Sequence, residues 1–421
     1  MPSPPLLHAA MHWPSIWRFC WASGSPEEKL PVLFWIYGGA FSGGSGADAE
    51  FDGDALNNLG AVVVTSNYRC GALGFFSTPE LRKKGLGGNL GLLDQIAALR
   101  WVHENIGAFG GDPDCVTVFG QSAGGISTRM LLCTDLTEGL MHRAIIESGG
   151  GLIEADLVRT REDFERICQG AMEHLGWTTE DLFTRRAGEI IVGLSQAARE
   201  ISTEFEVAYF QPFVDGTAVP EVPGIRIAEG KYKDIPIINA TVAGDFWMFS
   251  RKVREYVDGD DLYGRAFSYA ASISWAQQNV EQHRRPIYAF YLDRAQPPEN
   301  GPGWATHGPP RFGAQTMHSS EIAYVFGTLE ARKRDYQPYD QQLSEWMGRY
   351  WVNFARTGDP NGAELPAWPA YTGDNPVAMH FGDDIHAAEN LVQSPEEQRV
   401  MDYIKRCPGM LTTFESTGGT K

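Results

Sequence analysis

Val116-Thr117-Val118-Phe119-Gly120-Gln121-Ser122-Ala123-Gly124-Gly125 reads as a buried strand, a sharp turn carrying a serine, and the start of a helix that continues to Leu132. The spacing of Gly120, Ser122 and Gly124 is the G-x-S-x-G pattern of a nucleophile elbow, whose turn is so tight that the flanking positions must lack a side chain. Such a turn lifts the hydroxyl above the sheet edge and sets it at a helix N-terminus, where free N–H groups favour a developing negative charge. The bare pattern is weak in a chain with 47 glycines, and a glycine-rich structural turn is the competing reading. The strand before it and the helix after it are the context the motif requires.

Working outward, Pro31 to Tyr37 is a continuous apolar run ending in Gly38-Gly39-Ala40, and Ala61 to Thr65 is a second. Runs of this kind belong to strands covered on both faces. Leu92, Ile96, Leu99, Val102 and Ile106 recur at helical spacing. Further strands are expected at 144–146, 235–241 and 287–291, and a late helix at 341–356. Strands alternating with helices predict an α/β fold with a mostly parallel sheet. Residues 156–201 and 262–285 read as helical insertions, the first covering the active-site end, and 296–313 as a proline- and glycine-rich loop.

With 421 residues, 43% of them hydrophobic, the chain can bury a large core. A formal net charge of −18 argues against nucleic acid and anionic membrane surfaces as partners. No apolar run is long enough to span a membrane. The six cysteines form neither C-x-x-C pairs nor a disulfide framework and read as free thiols of a cytoplasmic protein. Nothing in the chain resembles a zinc-protease helix, a zinc-type cysteine pattern or a phosphate loop, so neither metal nor organic cofactor is expected.

A serine hydroxyl needs a base to activate it and an acid to orient that base. In such sheets the chain order is serine, acid, histidine. His318, after the last core strand and a long loop, is the leading base; His307 is second, and His283, His380 and His386 are read as solvated surface groups. Asp245, the first carboxylate beyond the 235–241 strand, is the candidate acid, with an ordinary turn aspartate as its alternative. Gly38, Gly39 and Ala123 could supply the backbone N–H groups of an oxyanion hole.

Many segments then match a known family in order: Trp35-Ile36-Tyr37-Gly38-Gly39-Ala40-Phe41, Asn67-Tyr68-Arg69, Gly88-Asn89-Leu90-Gly91-Leu92-Leu93-Asp94-Gln95, Phe109-Gly110-Gly111-Asp112-Pro113, the elbow, Ile146-Glu147-Ser148-Gly149, His318-Ser319-Ser320-Glu321 and Phe354-Ala355-Arg356-Thr357-Gly358-Asp359-Pro360. From residue 22 to 380 the chain resembles the type-B carboxylesterases and cholinesterases, most of all the bacterial para-nitrobenzyl esterase-like carboxylesterases. That resemblance implies an α/β-hydrolase fold and a serine carboxylesterase working through an acyl-enzyme. It carries the nucleophile to Ser122, the base to His318 and the oxyanion donors to Gly38, Gly39 and Ala123. Arg69 and Asp94 match a structural ion pair, and Ser148 a buried serine beside the triad.

The chain also departs from the family pattern. Asp245 stands where the family has glutamate in an Asp-Glu-Gly setting, Gln121 where it usually has glutamate, and Tyr37 where histidine is common. Residues 1–21, with Trp13, Trp17 and Trp21 at helical spacing, do not match the usual start and form an atypical segment ahead of a single hydrolase domain at 22–421. Absent edge strands there would expose apolar surface and favour aggregation or dimer formation; the expected state is a monomer or weak homodimer. The reading is hydrolysis of a small-molecule carboxylic ester by Ser122, His318 and Asp245, with a silent or impaired hydrolase-fold protein as the alternative. Phe41, Phe75, Phe246 and Trp247 could line a pocket or simply pack the core.

Overall fold

The computed structural model describes residues 18–20, 26–151, 158–201, 210–243, 245, 263–297 and 316–389. The apolar runs form β2 (Leu30–Ile36), β3 (Val62–Thr65), β6 (Gly111–Gln121) and β7 (Arg143–Glu147). Later come β8 (Ile237–Val242), β9 (Ile287–Leu292), β10 (Val377–Phe381) and β11 (Ile385–Glu389). With β1 (Arg18–Cys20) they make a nine-stranded sheet in the order β1-β3-β2-β6-β7-β8-β9-β10-β11. All neighbours from β3 through β10 are parallel. Only the edges, β1 on β3 and β11 on β10, run antiparallel. A small hairpin, β4 (Phe75–Phe76) on β5 (Gly88–Asn89), stands apart.

The register aligns the carboxyl ends of the central strands. Ile36 lies beside Gly120, Gln121 beside Glu147, and Glu147 beside Ala240. The strand order reverses between β2 and β6, so a crevice opens above this edge, the usual binding place of open α/β sheets. The loops leaving β2, β6, β7 and β8 there carry Gly38, Ser122, Ser148 and Asp245.

The elbow helix Ala123–Leu132 is buried along its whole length, as a helix wedged between other layers must be. Helix Leu90–Asn105 buries Leu92, Ile96, Leu99 and Val102, as its periodicity predicts. Helix Pro338–Thr357 starts three residues before the sequence expectation. Pro338 sits in its first turn, a capping box joins Gln337 to Asp340, and Gly358 closes it in the left-handed conformation.

Strand β8 begins at Ile237 rather than 235, since Pro236 has no N–H to give the ladder. The insertion at 156–201 holds helices Arg161–Leu175 and Ala187–Ile201, and the later one holds Tyr263–Glu281. The outer strands β1, β10 and β11 escaped the sequence reading. Trp13, Trp17, Trp21, Phe246, Trp247 and His307 lie outside the described residues.

Close packing dictates the elbow glycines. A Cβ on Gly124 would stand 1.8 Å from the carbonyl oxygen of Ile36, and one on Gly120 2.5 Å from the carbonyl carbon of Gly124. Neither neighbour can retreat, because both are backbone. Gly124→Ala is therefore expected to lose at least about 3 kcal/mol, the upper range for overpacking a core. Urea denaturation measures this, and a loss below about 0.5 kcal/mol would contradict so tight a helix-to-β2 contact.

Candidate active site

Ser122 has φ 58° and ψ −124°, a left-handed-side conformation that a residue with a side chain holds only when its surroundings enforce it. Two backbone bonds do so. Its N–H donates to Glu147 O at 2.9 Å and its carbonyl accepts from Ile126 N at 2.8 Å, while Ser148 N donates to Ala240 O at 3.0 Å and ties the next strand end. The residue is 8% exposed.

Gly38 lies against the serine. A Cβ on it would reach the Ser122 Cβ at 3.0 Å and the Gln121 carbonyl oxygen at 2.8 Å. Gly39 follows with φ +108°, open to glycine alone at no cost. The strand end feeding these glycines is fixed by Tyr37, whose ring stacks on Tyr68 at 4.5 Å. The two tyrosines exchange hydrogen bonds, Tyr37 OH donating to Tyr68 O at 3.2 Å and Tyr68 OH to Tyr37 O at 3.0 Å. Ala123 is the first residue of the elbow helix, and a first-turn N–H has no intrahelical acceptor. Three backbone donor positions thus flank the hydroxyl.

His318 precedes helix Ser320–Phe326. Its Nδ1 is 2.6 Å from Asp245 Oδ1. Asp245 is 1% exposed, and its second oxygen accepts from Ser148 Oγ at 2.6 Å, Thr241 Oγ1 at 2.8 Å and Val242 N at 3.0 Å. Burial pushes the Asp245 carboxyl up, but the bond and charge of His318, then Ser148 and Val242 N–H, outweigh it and hold it below the ordinary value. An ionised Asp245 accepts the proton on Nδ1, which leaves Nε2 as the nitrogen that acts as the base. Gln121, the residue before Ser122, brings its amide nitrogen to 3.2 Å from that Nε2. Ser319 Oγ donates to its amide oxygen at 3.0 Å, which turns the NH₂ toward the imidazole. The expected residues Ser122, His318, Asp245, Gln121, Ser148, Gly38, Gly39 and Ala123 therefore converge on one edge of the sheet.

Two carboxyls behind the site went unassigned in the sequence reading. Glu147 and Glu321 are both fully buried. Trp351 Nε1 donates to Glu147 Oε1 at 2.9 Å, and Ser148 Oγ lies 3.5 Å from Glu321 Oε1. Burial pushes Glu147 up to about 8 despite the Trp351 bond. Burial, then the charges of Glu147 and Asp245, push Glu321 well above the ordinary range. Their surroundings thus favour the protonated form, whereas those of Asp245 favour the ionised one. The signal was present: an acid inside the strand run Ile145-Ile146-Glu147 has no solvent to face.

The Glu147 shift has a stability consequence. Between its unfolded value and about 8 the folded state holds a proton that the unfolded state has released, so stability falls as pH rises through that window. Glu147→Gln is expected to flatten the fall, gaining on the parent protein between pH 5 and pH 8. Denaturant midpoints across that range test it, and parallel curves would contradict it.

Arg69 and Asp94 form a two-armed ion pair, Nε to Oδ2 and Nη2 to Oδ1 both at 2.7 Å, which ties the loop after β3 to helix Leu90–Asn105. Phe41 and Phe75 are buried and in edge contact at 5.3 Å, so they pack the core. His380, expected at the surface, is instead held between Tyr291 and Asp293, with its side chain 15% exposed. No helix among the described residues is long and apolar enough to cross a membrane.

The model of the carboxylesterase family matches residues 15–262 and 258–400. The chain belongs to the carboxylesterase family. The para-nitrobenzyl esterase of Bacillus subtilis (strain 168) is 32% identical over 415 residues, covering 90% of this chain and 81% of that protein. The fumonisin B1 esterase of Sphingopyxis macrogoltabida is 31% identical over 406 residues, covering 87% and 72%. Among solved structures, a PNB esterase superposes with a TM-score of 0.77 at 29% identity, over 92% of this chain and 83% of that one. The esterase therefore has the α/β-hydrolase fold and is a carboxylic ester hydrolase of the serine type. The family match begins inside the segment set apart as atypical, and β1 in that segment pairs with β3.

Proposed function

We propose that this esterase cleaves uncharged, small-molecule carboxylic esters with Ser122 as nucleophile, His318 as general base and acid, and Asp245 as the orienting acid. The observation that carries the assignment is the His318 Nδ1 to Asp245 Oδ1 contact of 2.6 Å, beside an elbow serine held at positive φ. Ser122 Oγ attacks the ester carbonyl while His318 Nε2 takes its proton, and Asp245 stabilises the imidazolium. The N–H groups of Gly38, Gly39 and Ala123 receive the oxyanion. The imidazolium returns its proton to the departing alkoxide, leaving an acyl-enzyme. Water, deprotonated by the same Nε2, then releases the acid and restores the serine.

Gln121 supports an uncharged substrate, since it sets a neutral amide beside the nucleophile and His318 where a carboxylate would add a charge. The free thiols Cys70, Cys115, Cys133 and Cys168 support work in the cytoplasm, and the protein acts as a monomer or weak homodimer. Hydrolysis of p-nitrophenyl acetate and butyrate by purified protein tests the proposal. Turnover well above that of Ser122→Ala supports it; equal turnover by the folded variant overturns it.

A further inference from the structure

We propose that the β10 to β11 hairpin is a binding site for a borderline divalent transition cation of the zinc class, held by His380, His386 and Asp384. Antiparallel register sets His380 directly opposite His386, with the rings 4.8 Å apart. Asp384, from the turn between them, brings a carboxylate oxygen 3.3 Å from His386 Nδ1. One ligand atom from each of the three residues lies within 4.8 Å of the others. In a tetrahedral zinc site the ligand atoms stand about 3.4 Å apart, given metal-to-nitrogen distances near 2.0–2.1 Å. The side chains of His386 and Asp384 are 47% and 77% exposed, so both can close that gap by rotating in solvent.

His380 carries the second, independent observation. Its Nε2 is 2.9 Å from Asp293 Oδ1, which places the ring proton on Nε2 and leaves Nδ1 as a lone pair. Yet Nδ1 is buried without a hydrogen-bond partner, a costly state for a polar atom unless something binds it. Tyr291 stacks on the ring at an interplanar angle of 14° and holds its plane. Gly382 is part of the cradle, since a Cβ there would come 2.6 Å from Asp293 Oδ1 and 3.3 Å from His380 Nδ1. A carboxylate that takes one N–H of a histidine and leaves its other nitrogen as a lone pair is the usual support of a metal-binding imidazole. Imidazole with carboxylate suits zinc, copper and nickel rather than calcium or magnesium. Three protein ligands leave the remaining position to water. The site stands beyond β7, β8 and β9 from the elbow, so the cation has no part in ester hydrolysis.

Titration of the chelator-treated full chain with Zn(II), followed by calorimetry, tests this, with Co(II) absorption as a readout of geometry. One ion per chain is expected, with the visible bands of tetrahedral Co(II) and unchanged esterase turnover. His386→Ala, at an exposed position that leaves the metal-free fold intact by circular dichroism, should lower the affinity at least tenfold. Asp293→Asn should lower it by about 10- to 100-fold, the usual effect of removing a supporting carboxylate. Absence of Zn(II) binding by the parent protein, or equal affinity in His386→Ala, would overturn the proposal.

Discussion

Ser122→Ala and His318→Ala are each expected to lower kcat for p-nitrophenyl butyrate on the order of 10⁶-fold, and the double variant should fall no further, because nucleophile and base act as a unit. The residual rate over water should persist in all three, since the backbone donors at Gly38, Gly39 and Ala123 do not depend on either side chain. Additive losses would mean that the two residues act in separate steps. Neither substitution should unfold the protein. The positive φ of Ser122 is held by backbone bonds to Glu147 and Ile126, and those survive loss of the hydroxyl.

Asp245→Asn is expected to cost about 10⁴-fold in kcat with little change in KM, the scale for reversing a histidine tautomer. Ser148, Thr241 and Val242 N–H all donate to Asp245 Oδ2. An asparagine carbonyl would take those bonds and turn its NH₂ toward His318. The imidazole would then accept at Nδ1 and carry its proton on Nε2, facing the serine with a donor instead of a base. A loss below tenfold would show that another group orients His318. The depressed carboxyl of Asp245 also contributes stability that is fully present above the ordinary aspartate value near pH 4 and is lost as pH falls through its lower folded value. Asp245→Asn should therefore weaken the pH dependence of stability on the acid side, opposite in sense to Glu147→Gln on the neutral side.

The parts of this site that were legible in the sequence are those set by local chemistry. Gly120, Ser122 and Gly124 announce a turn that only glycines allow, and β2 and β6 announce themselves as unbroken apolar runs. Chain order narrowed the acid and base to Asp245 and His318, with a turn aspartate and His307 as alternatives, because the parallel sheet brings each strand's carboxyl end to one edge, and the family resemblance then favoured His318. Thr241, Glu147 and Glu321 were not legible as a network. Their states depend on burial beside Ser148, Asp245 and Trp351, which only the folded chain brings together. The edge strands escaped for a related reason. β1 has three residues, too few for any period, and β11 has an exposed or half-exposed pattern throughout. His380 reads as a surface residue until β10 is laid between β9 and β11, where Tyr291 and Asp293 enclose it.

The most direct test is to quench the protein in acid during the first turnovers with p-nitrophenyl butyrate and map the butyrylated peptide by mass spectrometry. The account predicts one butyryl group per chain on Ser122, absent from Ser122→Ala. A butyryl group on any other residue, or an undiminished burst in Ser122→Ala, would contradict it.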